Sequence, residues 1–154
     1  MRSRIAHYGR AIQAIGALLH AQWCVQHSPF PRIAARLGRP LATSPHEGDA
    51  SGAALDVRHA LLAACRHLPW KPTCLVQAVA GQTLLNRRGV PSVLILSVMP
   101  NESVTLKAHA WLEAGGMVVV GRNEMHSFTP IYRFDNHPDR AGEPAARNIA
   151  PCSR

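Results

Sequence analysis

Cys74 and His109 are the two residues whose types and positions could do chemistry together. Cys74 follows Pro72-Thr73 and opens a segment, CLVQAVAGQTLLNRR, whose pattern predicts a helix over 74–88 with Gly89 as its C′ residue. Thr73 is placed to cap that helix through its hydroxyl. The unpaired N–H groups and dipole at a helix start favour an anion, and the thiolate is the reactive form of cysteine. His109 lies 35 positions later (109 − 74), in a run that alternates apolar and polar residues as a strand does. A cysteine at a helix start followed by a histidine on a strand supplies the nucleophile and base of a covalent mechanism. Each residue alone is a weak signal, since a cysteine can simply pack at a helix start and the chain has nine histidines. The pair is the specific feature. Cys24 and Cys65 fall within apolar helical faces, where cysteine behaves as a small hydrophobe, and Cys152 lies near the C-terminus. None of the four cysteines forms a CxxC pair, so a zinc ribbon or thioredoxin motif is excluded.

The elements that must position the pair are legible in order. Apolar residues at Ile5, Tyr8, Ile12, Ile15, Leu18, Leu19 and Trp23 predict a helix over 5–26, stopped by Ser28-Pro29. Pro31 opens a short helix over 32–37, closed by Gly38. Residues 38–52 are small, polar and rich in Pro and Gly, as a linker is. A helix over 53–67 follows, with Leu55, Val57, Leu61, Leu62 and Cys65 along its apolar side. The helix opened by Cys74 expects Leu75, Val79, Gln82 and Leu84 or Leu85 on its buried side.

After Gly89 the period changes to two. Strands are predicted over 91–98 and 106–114, with Pro100–Ser103 as the turn between them. Leu106, Ala108, Ala110 and Leu112 share one face of the second strand, and Lys107, His109, Trp111 and Glu113 the other. Gly115-Gly116 marks a hairpin to a strand over 117–120, and a further strand is expected within 128–134. Three regions follow: 1–52, helices and linker; 53–134, the core; and 135–154, a Pro-, Gly- and Arg-rich tail expected to be disordered. The fold class is α+β, N-terminal helices packed on an antiparallel sheet.

The bulk numbers agree with one folded domain. Of 154 residues 47% are hydrophobic but only 5% aromatic, so the core must be built of Leu, Val, Ala and Ile. The net charge of +8 comes almost entirely from arginine, yet the arginines are scattered. No basic run with interleaved aromatics marks a nucleic-acid surface, so nucleic acid is not an expected partner. The apolar stretch 11–19 is interrupted by Gln13 and runs into His20, Gln22 and Cys24 without a cleavage site. It is too short and polar for a transmembrane segment, and the expected setting is the reducing cytoplasm.

Two segments, PTCLVQAVAGQTLLNRRGVPSVLILSV and AHAWLEAGGMVVVG, carry a family resemblance. They resemble the transglutaminase-like cysteine peptidases that remove the leader from lasso-peptide precursors, the C-terminal half of the microcin-type processing proteins. The shared features are a cysteine opening a helix that ends in Arg-Arg-Gly, a strand, and the AHAWLE hairpin. Phe30-Pro31-Arg32-Ile33-Ala34 is also similar, so the resemblance spans roughly residues 10–134.

The resemblance implies a papain/transglutaminase-like core with Cys74 and His109 in the catalytic roles and no metal or organic cofactor. It implies as partners the precursor leader peptide and an ATP-dependent lasso cyclase that closes the macrolactam. The family's leader-recognition domain has no counterpart here, which implies a separate leader-recognition protein. One departure concerns the residue that orients the histidine, commonly an Asp just after the returning strand. This chain reads Gly121-Arg122-Asn123-Glu124 there. Glu124 is the candidate, with Asn123 as the alternative. Glu113 is a poorer one, about 13 Å from His109 along the strand, and Trp111 is expected to pack beside the site. Two other readings remain open: an acyl transferase of the transglutaminase type, and a catalytically silent peptide-binding module on the same fold.

Overall fold

The computed structural model describes residues 2–40, 51–99 and 107–136. The expected turn at 100–103, most of the linker, most of the tail and Cys152 lie outside the described residues. Four α-helices precede most of the sheet: α1 (Arg2–His27), α2 (Phe30–Leu37), α3 (Ser51–His67) and α4 (Cys74–Asn86). The strands are β1 (Arg39–Pro40), β2 (Val93–Val98), β3 (Ala108–Ala114), β4 (Met117–Val120) and β5 (Thr129–Asp135). A 3₁₀ turn, Arg122–Ser127, links β4 to β5. The sheet order is β1-β5-β2-β3-β4, with every neighbouring pair antiparallel. The α+β class and the helix-then-sheet order therefore stand.

The helices bury a different face from the one that bulky residues suggest. On α1 the buried stripe is Ala14, Ala17, Leu18, Ala21 and Cys24, while Ile12 is 68% and Trp23 59% exposed. On α3 it is Ala54, Val57, Ala60, Leu61 and Ala64, with Leu55 and Leu62 exposed. Both helices pack against α4 and each other, and alanine faces let the helix backbones approach closely where larger side chains would hold them apart. Helix α4 is the centre of the molecule. Val76, Ala78, Ala80, Gly81, Gln82, Leu84 and Leu85 are all buried, as befits a helix enclosed by two helices and the sheet.

The sheet divides the apolar side chains into two sets by strand alternation. Leu94, Ala110, Leu112, Val120 and Phe134 join the helices in the main core. Val93, Ile95, Trp111 and Phe128 form a second cluster on the far face. Two irregularities shape the strands. Pro130, which has no N–H to give a ladder, sits where the β2–β5 register shifts, opposite Ser97. Between β3 and β4 the pairing passes from Glu113↔Val118 to Leu112↔Val120, so Val119 is an extra residue. The predicted Gly-Gly turn is present, both glycines having positive φ (55° and 72°).

Strand β1 was not predicted. Its two residues pair with Asp135 and Phe134, which carries β5 one residue beyond its expected end and into the region expected to be tail. Among the described residues no helix is long and apolar enough to cross a membrane.

Candidate active site

Helix α4 starts where the sequence indicates. Thr73 is its N-cap, in extended conformation, and its hydroxyl accepts a hydrogen bond from the Val76 N–H at 3.4 Å. The first intrahelical bond runs from Gln77 N to the Thr73 carbonyl at 3.0 Å, leaving the Cys74 and Leu75 N–H groups ahead of the ladder. Gln77 also donates through Nε2 to the Pro72 carbonyl at 2.8 Å, tying the first turn to the loop before it. Cys74 is half-buried and packs against the main core.

Direction places Cys74 and His109 at the same end of the layer. α4 connects to β2 by a short turn and so runs against it, β2 is antiparallel to β3, and α4 therefore runs along β3. The two pack together at Gly81, where an added Cβ would lie 2.6 Å from the Leu112 side chain. Cys74 opens α4 and His109 is the second residue of β3, so both belong to the starting ends of elements that run the same way.

The two side chains belong to different sides of the sheet, Cys74 to the main core and His109 to the far face. His109 belongs to the face of β3 away from α4, its ring 5.1 Å from Phe128 and 6.1 Å from Trp111 between centroids. Its Nε2 lies 2.9 Å from the carbonyl oxygen of Gly121. Among the described residues no hydrogen bond joins Cys74 to His109.

Other candidates are placed as follows. Trp111 is buried beside His109, as expected, and its indole Nε1 donates to Glu113 Oε1 at 2.9 Å. Asn123 is exposed on the 3₁₀ turn, and Glu124 follows it there, its side chain outside what the structure describes. Cys24 is buried, with its sulfur 3.8 Å from both ring nitrogens of His20 on the preceding turn. Burial pushes the Cys65 thiol up from its ordinary range. Trp70, four residues before Cys74, keeps its indole N–H buried with no hydrogen-bond partner among the described residues.

The sequence reading missed Gly121. Its only signal was a glycine directly after the returning strand, and the group it contributes is a backbone carbonyl.

A family model for the transglutaminase-like superfamily matches residues 15–133. The chain belongs to the transglutaminase-like superfamily. The match runs from within α1 to within β5 and so takes in the Cys74 helix and the His109 hairpin. Searches of curated proteins and of solved structures gave no match. Transglutaminase-like domains commonly use cysteine-based catalysis and include both cysteine proteases and acyl transferases.

Proposed function

We propose that this transglutaminase-like protein is a cysteine peptidase with a papain-like core that removes the leader from a lasso-peptide precursor before macrolactam closure. In this reading it works in the cytoplasm, with a separate leader-recognition protein and an ATP-dependent cyclase. The observation that carries it is Cys74, the one described cysteine that opens a helix, with His109 near the start of the strand that runs the same way. The leader substrate rests on the sequence resemblance.

The Cys74 thiolate attacks the scissile carbonyl, and the N–H groups of Cys74 and Leu75 stabilise the oxygen that becomes negative. His109, protonated in taking the thiol proton, gives a proton to the departing amine. It then takes one from water, whose oxygen attacks the thioester carbonyl and restores the thiol. Glu124, with Asn123 as the alternative, is proposed to stabilise the charged imidazole from the 3₁₀ turn without holding its Nε2–H.

Cys74→Ala is expected to abolish precursor cleavage, followed by mass spectrometry, with the circular dichroism spectrum unchanged. Cys24→Ser, Cys65→Ser and Cys152→Ser retain activity at least in part. Normal processing by folded Cys74→Ala would end the peptidase reading.

One observation favours the silent peptide-binding module: the imidazole is bonded on the far face of β3 and not to the thiol. A thiol-reactive probe at neutral pH separates the two, because selective labelling of Cys74 belongs to the enzyme. Adding an amine to the cleavage reaction tests the transferase, which would yield the amide in place of the acid.

A further inference from the structure

We infer that the main-chain carbonyl of Gly121 is the positioning group for His109, standing where a side-chain acid was expected. The inference rests on the proposed Cys74–His109 pairing for its catalytic meaning, but its geometry stands without it.

A carbonyl oxygen only accepts, so the imidazole nitrogen 2.9 Å from it must carry the proton. That nitrogen is Nε2. In the neutral ring the lone pair is then on Nδ1, which becomes the basic nitrogen. When Nδ1 takes a proton the Nε2–H bond persists and strengthens, since hydrogen bonds from a charged donor are about twice as strong. One acceptor therefore serves both halves of the cycle.

The backbone at Gly121 is built to hold that carbonyl. Its φ of 85° and ψ of 16° are left-handed, where a side chain is disfavoured. An ideal Cβ there would lie 2.6 Å from the Ala110 carbonyl oxygen, 2.7 Å from Trp111 Cβ and 2.9 Å from Trp111 Cα. These atoms are backbone or fixed to it, so they cannot swing aside. The extra residue Val119 explains the closeness: continuing the Leu112↔Val120 register by one step sets Gly121 against Trp111. Phe128 and Trp111 flank the ring and limit its rotation. Glu113, the acid in the same strand, accepts from the Trp111 indole, and the His109 Nε2 bond goes to Gly121.

The test weakens the acceptor without adding a side chain. Placing the α-hydroxy analogue of arginine at position 122 turns the Gly121–Arg122 amide into an ester, whose carbonyl accepts hydrogen bonds poorly. The 154-residue chain, ¹⁵N-labelled at histidine and carrying Cys74→Ala, is read by proton–nitrogen NMR, with His109 assigned against His109→Gln.

With the amide intact, the neutral His109 ring is expected as the Nε2–H tautomer, its proton shifted downfield by the bond. The ester moves that proton upfield. In the Cys74 form the ester slows single-turnover cleavage about three- to tenfold, the loss of one hydrogen bond, and shifts the acid limb of the pH–rate profile. Gly121→Ala, which strains the backbone, should show the same spectral change if it folds.

An Nδ1–H tautomer, or a proton signal indifferent to the ester, would overturn the inference. So would loss of that signal in Glu124→Gln or Asn123→Ala, which would assign the orienting role to a side chain. A signal that responds to the ester in a chain whose cleavage survives Cys74→Ala would leave the Gly121 bond standing and remove the peptidase reading instead.

Discussion

Gly81→Ala tests whether the seating of α4 on β3 sets the site. The new methyl would lie 2.6 Å from Leu112 Cδ2 and 3.2 Å from Leu61 Cδ1, whereas ordinary contact begins at 3.4 Å. The shorter gap falls short by 0.8 Å (3.4 − 2.6). Leu112 is fully buried and Leu61 nearly so, so neither side chain has open space to turn into. Two effects oppose each other. Alanine favours the helix over glycine by about 1 kcal/mol, and overpacking a filled core costs about 1–3 kcal/mol. The core term wins, for a net loss on the order of 1 kcal/mol and a fall in melting temperature of roughly 2–4 °C for a chain of this size. The larger effect falls on activity. Relieving the contact lifts α4 and its Cys74 relative to His109, and a misplacement of about 1 Å can cost on the order of 100-fold in rate. Thermal melts by circular dichroism and single-turnover cleavage are the two readouts. A variant that melts higher than the parent and cleaves at the parent rate would refute the seating argument.

The same framework gives three further expectations. Thr73→Ala removes the α4 cap and should cost about 0.5–1 kcal/mol in urea unfolding, toward the low end because the bond is long; alkylation of Cys74 should slow, and an unchanged rate would separate the cap from the thiol. The Cys65 thiol, raised by desolvation, is protonated more firmly in the fold than in the unfolded chain. Its contribution to stability is therefore complete below the ordinary thiol range and is lost as pH rises through its raised value. Maleimide labelling at neutral pH should accordingly reach Cys74 well before Cys65, and the reverse order would contradict this. Finally, adding a separate leader-binding protein should accelerate precursor cleavage, and equal rates with and without it would remove that partner from the proposal.

What was legible in the sequence follows from which forces are local. Thr73-Cys74 announced a helix start because capping is chemistry between neighbours. The β3–β4 hairpin was legible because Gly115-Gly116 supplies the positive φ its turn needs. The inward faces of α1 and α3 were not, because bulk misleads when the partner is another helix and Ala14, Ala17 and Ala21 make the contact. β1 was not, since two residues held by Phe134 and Asp135 have no period to detect. Around the candidate site, the helix-start position of Cys74 and the shared face of His109 and Trp111 could be read from spacing. The Gly121 carbonyl could not, because a main-chain acceptor has no letter of its own.

Gly121 also shows how the sheet frees that acceptor. Pairing between β3 and β4 reaches Leu112↔Val120, and a regular strand would continue past it, committing the next carbonyls to β3. The left-handed turn at Gly121 instead ends the strand and starts the 3₁₀ turn. Its carbonyl leaves the ladder at the level of His109, and the imidazole takes it. An acidic side chain attached at this position would have to leave through the space held by Ala110 and Trp111. At residue 121 the orienting group can therefore come only from the main chain, and the Gly121 carbonyl is that group.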